Sequence, residues 1–268
     1  MSQVTTASKQ GVALITGAST GIGATYAAHL AARGYDLVLV ARDVARLEQL
    51  AQSLRGQHQV GVDILPADLT NKQDLLKVEQ RLRSDSSISM LVNNAGMAIS
   101  GELADGDIER YDNMVQLNIT AVMRLAAAVA PNFIARKGGT LINIASVLAL
   151  APEFFNGVYS GTKAFVLNLS LSLQNELGKH GVRVQVVLPG ATRTEIWERS
   201  GGDIAHLPPE MLMEVEDMVD AALAGLDQGE SVTIPSLPEL KEWTELNALR
   251  QALAPRLSLS RPAQRYLP

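Results

Sequence analysis

The sequence predicts an α/β fold, a Rossmann-like doubly wound parallel sheet of seven strands with helices on both faces. Short, almost wholly apolar runs alternate with longer segments of helical period over residues 1–234. The apolar runs lack an in–out alternation, as strands covered on both faces should. A glycine-rich turn from Gly17 to Gly23 directly follows the first run and opens the first helical segment.

The elements follow in order. Residues 12–15 read as the first strand and 22–33 as the first helix, with Gly34 at its C-terminal cap. Strand 37–40 precedes helix 44–55, which Asp43 caps at its start and Gly56 at its end. Strand 60–65 leads to helix 72–83, and strand 90–92 to one long helix over 108–136. Strand 140–144 is followed by helix 158–180, closed by Gly181. Strand 182–188, helix 216–226 and strand 232–234 complete a single dinucleotide-binding and catalytic domain, residues 1–234. Residues 235–268 differ in character. Five prolines punctuate them, and Leu240, Trp243, Leu246, Leu249 and Leu253 recur at helical spacing. This extension packs on its own domain or on a partner subunit, with a lid over the active site as the alternative.

Composition removes several function classes. Apolar residues make up 47% and charged residues 19% of 268, an ordinary globular balance. A net charge of −5 without Lys/Arg blocks offers no basic face for nucleic acid. Without cysteine there is no disulfide, thiolate nucleophile or Cys-ligated metal. His29, His58, His180 and His206 stand at unrelated spacings, so no metal site is expected. The start lacks the apolar stretch of a signal peptide. The apolar run at 125–135 is interrupted by Pro131 and Asn132 and is too short to span a bilayer. The expectation is a cytoplasmic protein with no membrane partner.

The turn Thr16-Gly17-Ala18-Ser19-Thr20-Gly21-Ile22-Gly23 lets the backbone approach a pyrophosphate, which the following helix N-terminus would receive. A tight turn explains three glycines without a ligand. The order strand, glycines, helix favours the nucleotide. Tyr159 and Lys163, four residues apart in a helical segment, share one face. A phenol titrates near 10 in water, and a nearby ammonium lowers that value toward what acid/base work requires. Helices also carry such pairs as plain surface partners. Here Ser146 ends the fifth strand, and open α/β sheets bind ligands at strand C-termini.

Together these motifs resemble the single-domain short-chain dehydrogenase/reductase family, from about residue 11 to 235. The glycine turn has its Thr-Gly-x-x-x-Gly-x-Gly form. Asp68-Leu69, Asn93-Asn94-Ala95-Gly96, Tyr159-x-x-x-Lys163 and Pro189-Gly190-x-x-x-Thr194 follow on the expected elements. The resemblance implies an NAD(P)-dependent oxidoreductase interconverting a carbonyl and a secondary alcohol by hydride transfer. It implies cofactor contacts from Gly17, Ser19, Thr20, Gly21, Ile22 and Gly23, then from Asp68, Leu69, Asn94, Ala95 and Gly96. Tyr159, Lys163, Pro189, Gly190, Thr192 and Thr194 complete the cofactor set. It also implies a catalytic tetrad. Ser146 orients the carbonyl, Tyr159 donates the proton, Lys163 holds the nicotinamide ribose, and Asn118 supports a water linking Lys163 to solvent.

An NAD-specific site would end the second strand with an acid. Ala41 and Arg42 stand there instead, and Arg42 pairs well with a 2′-phosphate, Ser19 adding a hydroxyl. NADP(H) is therefore expected, leaving NAD(H) open; a solvated surface arginine is the plainer reading of Arg42. Leu148, Leu150, Phe154 and Phe155 lie between Ser146 and Tyr159, which favours a carbonyl substrate with an apolar part. Trp197 with Gly201-Gly202 has the make-up of a closing lid. These side chains equally suit packing of the domain itself. The resemblance implies a homodimer or homotetramer. Small residues Ala121, Ala126, Ala127, Ala128, Ala164, Ser170 and Ser172 would let helices approach across a two-fold axis, or onto their own sheet. A nucleotide-sensing regulator would be expected to have lost Tyr159 or Lys163, and an epimerase would need a larger C-terminal domain.

Overall fold

A computed structural model describes residues 10–267. The polar start assigned to residues 1–9 lies outside the described residues. Two compact units meet in sequence at Pro235 and Ser236.

The first unit runs β1 (Val12–Thr16), α1 (Gly21–Ala32), β2 (Asp36–Ala41), α2 (Val44–His58), β3 (Val62–Pro66), α3 (Lys72–Ser84) and β4 (Ile88–Asn93). There follow α4 (Ile108–Val115), a π-helical turn (Gln116–Ala121), α5 (Val122–Arg136), β5 (Gly139–Ile144), α6 (Gly157–Gly178) and β6 (Val182–Val187). Then come α7 (Ile196–Ser200), α8 (Val215–Asp227) and β7 (Val232–Thr233). The strands form one parallel seven-stranded sheet in the order β3-β2-β1-β4-β5-β6-β7. The order reverses between β1 and β4, the place where such sheets open a ligand crevice.

Successive strand residues feed opposite cores, so both must be apolar. Ile15, Leu39 and Val187 pack with Tyr26 and Leu30 of α1, Leu47 of α2 and Leu223 of α8. Leu14, Val38, Leu91 and Leu141 pack with Val78 of α3 and with Leu125, Val129 and Phe133 of α5. Each fully buried leucine contributes about 1.5–3 kcal/mol.

Three readings need correction. Helix α2 continues through Gly56 to His58, and Gln59 takes the left-handed cap at φ 56°. A mid-helix glycine costs only about 1 kcal/mol, less than the packing of Leu47, Ala51 and Leu54 returns. Strand β3 starts at Val62 rather than residue 60. The apolar run at 125–135 is not interrupted, since the helix Ile108–Arg136 passes through Pro131. At 29 residues it is long and apolar enough to cross a membrane by length and composition. In this fold 44% of its most apolar window is buried, and its apolar side faces α3 and the sheet as core.

The second unit contains α9 (Leu240–Ala252), on which Trp243 is buried while Leu240, Leu246 and Leu249 are exposed in the single chain.

Candidate active site

The glycine turn is built against the segment after β4. The Thr16 hydroxyl accepts hydrogen bonds from the backbone N–H groups of Asn94 and Ala95, both at 3.0 Å, and donates to the Val92 carbonyl at 3.3 Å. Asn94 Nδ2 donates to the carbonyls of Thr16 and Gly17 at 2.9 and 3.2 Å. Gly17 lies at φ 66°, and a Cβ there would fall 2.8 Å from Asn94 Nδ2 and 2.9 Å from Ala95 Cα. A Cβ at Gly23 would overlap the Gly17 carbonyl oxygen. These glycines are therefore demanded by close backbone approach. Thr16, absent from the expected contacts, is the peg of this junction; its place at the head of the glycine motif was the available signal.

Helix α1 begins without a side-chain cap from Thr20 and without an acid in its first turn. Helices α2, α3 and α6 are capped by Asp43, Asn71 and Asn156. The first-turn N–H groups of α1 and its positive dipole end thus suit an anionic ligand, and the turn gives it backbone-close access. A dinucleotide pyrophosphate fits this cradle. A Cβ at Gly21 would lie 3.2 Å from Thr194 Cγ2, so the segment after β6 closes on the same turn. Thr192 in that segment donates to the Gly190 carbonyl at 3.2 Å. A groove of about 660 Å³ runs from Gly21 and Thr194 along α1 past Thr25 and His29; none of the four expected catalytic residues lines it.

At the C-terminal ends of β2 and β3, the Arg42 guanidinium is 73% exposed and 3.9 Å from the Asp68 carboxylate. Asp68 accepts from the backbone and hydroxyl of Thr70 at 3.0 and 2.7 Å. The Leu69 side chain is buried in the core with Val40 and Leu75, which leaves its backbone beside Asp68 at the end of β3. Asp43 caps α2 as read, accepting from Arg46 N at 3.0 Å. The Arg46 guanidinium, which the sequence did not single out, donates to both oxygens of Glu195 at 2.9 Å. That contact joins α2 to the segment after Thr194. Arg46, with Arg199 beside it, holds the Glu195 carboxyl below the ordinary carboxylate range.

Ser146, Tyr159, Lys163 and Asn118 are all buried. Ser146 follows β5, and its hydroxyl accepts from Leu148 N at 3.2 Å and faces the Pro189 carbonyl at 3.5 Å. Tyr159 stands in the first turn of α6 and Lys163 one turn on. Lys163 Nζ donates to the Ile144 carbonyl at 3.0 Å and lies 5.6 Å from the Tyr159 ring centroid. Burial pushes the Tyr159 phenol up to about 12, the hydrogen bond with Ser146 pulling the other way. Burial also lowers Lys163 to about 8. The expected lowering of the phenol by the ammonium is thus reversed: desolvation dominates, and Lys163 is engaged by a carbonyl.

Asn118 sits in the π-turn rather than in an uninterrupted α-helix. Its Oδ1 accepts from Met97 N at 2.9 Å, and its Nδ2 donates to the Met97 carbonyl at 2.9 Å and to Thr162 Oγ1 at 3.0 Å. Single π-turns within α-helices often accompany functional sites. A Cβ on Gly96 would lie 3.3 Å from Asn118 Oδ1 and 3.5 Å from Lys163 Nζ, so Gly96 separates the two.

Of the apolar candidates, Leu148 and Phe155 pack with Tyr159 alongside Ile99, Tyr111 and Met114. The Phe155 ring meets that of Tyr159 edge-on, centroids 5.4 Å apart at 76°. Phe154 and Leu150 point outward instead, Phe154 being 78% exposed. They lie in the short helical turns between β5 and α6, where Leu150 and the run Pro152–Phe154 face solvent. Trp197 Nε1 donates to the Thr192 carbonyl at 2.8 Å, and Ser100 N to the Ser200 carbonyl at 3.0 Å. The expected lid, with Gly201 at φ 80°, is therefore moored on both sides. Among the described residues, no three His, Asp or Glu side chains cluster as a metal site.

A parallel sheet with a phosphate cradle at its switch point and a buried hydroxyl–phenol–ammonium group beside it defines a dinucleotide-dependent oxidoreductase. Comparison with known proteins agrees. The family described as short chain dehydrogenase matches residues 11–204. An uncharacterized oxidoreductase of Staphylococcus saprophyticus is 33% identical over 224 residues, 83% of this chain and 94% of that protein. A short-chain dehydrogenase from Sphingobium yanoikuyae, solved with NADPH, superposes with a TM-score of 0.93 at 52% identity, covering 96% of this chain and 99% of that one. The bulky-bulky ketone specific alcohol dehydrogenase of Comamonas testosteroni gives 0.90 at 48%, covering 97% and 100%. The chain belongs to the short-chain dehydrogenase/reductase family and is an NAD(P)-dependent oxidoreductase acting on CH–OH and C=O groups.

Proposed function

We propose that the chain reduces ketones bearing apolar substituents with NADPH, Tyr159 acting as the acid. The observation that carries this is the burial of Tyr159 against Ser146 with Lys163 one helical turn away, beside Gly96 and beneath an apolar wall. NADPH, bound along the glycine turn, supplies the hydride. Ser146 and Tyr159 hydroxyls bind the carbonyl oxygen and stabilise its developing charge. The raised phenol stays protonated throughout the neutral range, which suits a proton donor. Lys163 holds the ribose and supplies positive charge, and Asn118 anchors the segment after Gly96 and supports a water linking Lys163 to solvent.

Arg42, exposed at the end of β2 with no acid in the place of an NAD-specific carboxylate, reads the 2′-phosphate. The Sphingobium relative was solved with NADPH, and the Comamonas relative prefers bulky-bulky ketones. Leu148, Phe155 and Ile99 provide a matching apolar lining. The test is consumption of NADPH with a panel of aryl and alkyl ketones. Tyr159→Phe should cut turnover by roughly 10²–10⁴-fold while still binding NADPH. Wild-type turnover by that variant would overturn the mechanism, and a preference for small 2-oxo acids would overturn the substrate class.

The assembly proposed is a homodimer or homotetramer. Four of the seven small residues, Ala121, Ala126, Ala128 and Ser170, are buried in their own domain, which leaves Ala127, Ala164 and Ser172 for a partner. Light scattering at micromolar concentration decides this, a monomer mass ending the proposal.

A further inference from the structure

We infer that Asn156 is a positioning residue for Tyr159, fixing the catalytic phenol against the wall of the substrate pocket. The inference rests on the reading of Tyr159 as the acid.

Asn156 is 7% exposed, and its side chain uses both halves of the amide. Oδ1 accepts from the N–H groups of Val158 at 3.0 Å and of Tyr159 itself at 3.2 Å. Nδ2 donates to the Gly101 carbonyl at 2.8 Å and to the Tyr111 hydroxyl at 3.0 Å. Capping a helix needs only the acceptor, and Ser or Asp supplies that as well. The donor half does something else. It reaches 55 residues back to the loop after β4 and 45 back to α4. Those two segments carry Ile99, Tyr111 and Met114, the side chains packed around Tyr159.

The other backbone group of Tyr159 is held in the same manner. Its carbonyl accepts from Thr162 Oγ1 at 2.8 Å, and that oxygen in turn accepts from Asn118 Nδ2 at 3.0 Å. Asn118 grips the same loop at Met97, 2.9 Å away through both its amide atoms. One asparagine therefore ties the Tyr159 N–H to Gly101, and the other ties the Tyr159 carbonyl to Met97. The phenol and the pocket wall move as one body.

The experiment compares Asn156→Ser, which keeps a capping oxygen but loses both donors, with Tyr111→Phe, which keeps the cap whole and removes one acceptor of the amide. In full-length protein, NADPH affinity should stay within about twofold of wild type. Ketone kcat should fall roughly 10- to 100-fold in Asn156→Ser and less in Tyr111→Phe, as expected when a reacting group is misplaced by a fraction of an ångström to 1 Å. The double variant should cost less than the product of the two, because they break one shared contact. A role in capping alone predicts unchanged kcat in both single variants, and that result overturns the inference. If Asn156→Ser does not fold, Tyr111→Phe decides alone, unchanged kcat again overturning it. Wild-type turnover by Tyr159→Phe would instead sink the acid assignment and leave the Asn156 geometry without a catalytic purpose.

Discussion

Helices α1 and α6 both begin at the edge of the site and use their first turns in opposite ways. Thr20 leaves the first-turn donors of α1 without a side-chain cap, and that turn carries no acid. Asn156 consumes two first-turn donors of α6 and then ties its helix to two other segments. One helix start keeps its donors free, as a charged ligand would require; the other has them taken up by a cross-linked side chain. The same four orphan N–H groups that every helix has can serve binding or precision, and a side chain at the cap decides which.

The largest effect that separates the two should come from Lys163→Ala on α6. Turnover should fall at least 10²-fold, on the usual scale of lost acid/base chemistry, and NADPH should bind more weakly, because one ammonium serves both. Loss of turnover with unaltered NADPH affinity, in single-turnover and fluorescence titrations, would remove the ribose role. Next is Thr20→Asp, which gives α1 the cap it lacks. Thermal unfolding should show a gain of about 0.5–1 kcal/mol, while NADPH affinity falls tenfold or more through repulsion of its pyrophosphate. A variant that gains stability and keeps its affinity would show that the open helix start is not the phosphate seat. Smaller again is Arg42→Ala. A charged hydrogen-bonded contact is worth about 1.5–3 kcal/mol when well sheltered, so at this exposed position roughly a tenfold loss of NADPH affinity is expected, NADH being unaffected. Equal losses for both cofactors would make Arg42 a general surface charge.

The mildest probe is pH. Burial holds Lys163 near 8, below its ordinary 10.5, so its positive charge is present below about pH 8 and lost above it. Reductive turnover should therefore be level on the acid side and decline above about 8, while Tyr159, near 12, remains protonated. Stability responds in the other direction. Between about 8 and 10.5 the unfolded chain still binds the proton that folded Lys163 has released, so this group's contribution to stability rises. A turnover profile level to pH 10 would reject Lys163 as the charge that matters.

The sheet was legible because its strands are apolar on both faces, and the first helix because glycine, strand and helix occur in a single order. Leu14 beside Ile15 and Val38 beside Leu39 say plainly that both faces are covered. The close-packed glycine turn and the grouping of Ser146, Tyr159 and Lys163 were legible as motifs, since close approach and an i, i+4 pair depend on local spacing. What escaped depends on contacts distant in sequence. Asn156, Arg46 and Thr16 look ordinary until the residues 45 to 149 positions away are brought beside them. The Tyr159 phenol was misjudged because spacing reveals a neighbouring charge but not the depth of burial. Gly56 misled for a related reason: packing of one helix face outweighed a local stop signal.

The π-turn lets the long helix hold one extra residue at the site without turning its faces. An extra residue in a regular α-helix would turn the following face by about 100°, whereas a π-turn takes up that residue within one wide turn. Deleting a single residue between Gln116 and Ala121 would let α4 and α5 rejoin as one ordinary helix with its backbone bonding intact. The two flanking faces would keep nearly their present alignment, Tyr111 and Met114 toward Tyr159 and Leu125 and Val129 in the core, and what would go is the wide turn from which Asn118 reaches Met97 and Thr162. A surface loop absorbs gains and losses of length; here a loss of one residue would preserve the helix and both of its packed faces and remove only the turn that seats Asn118.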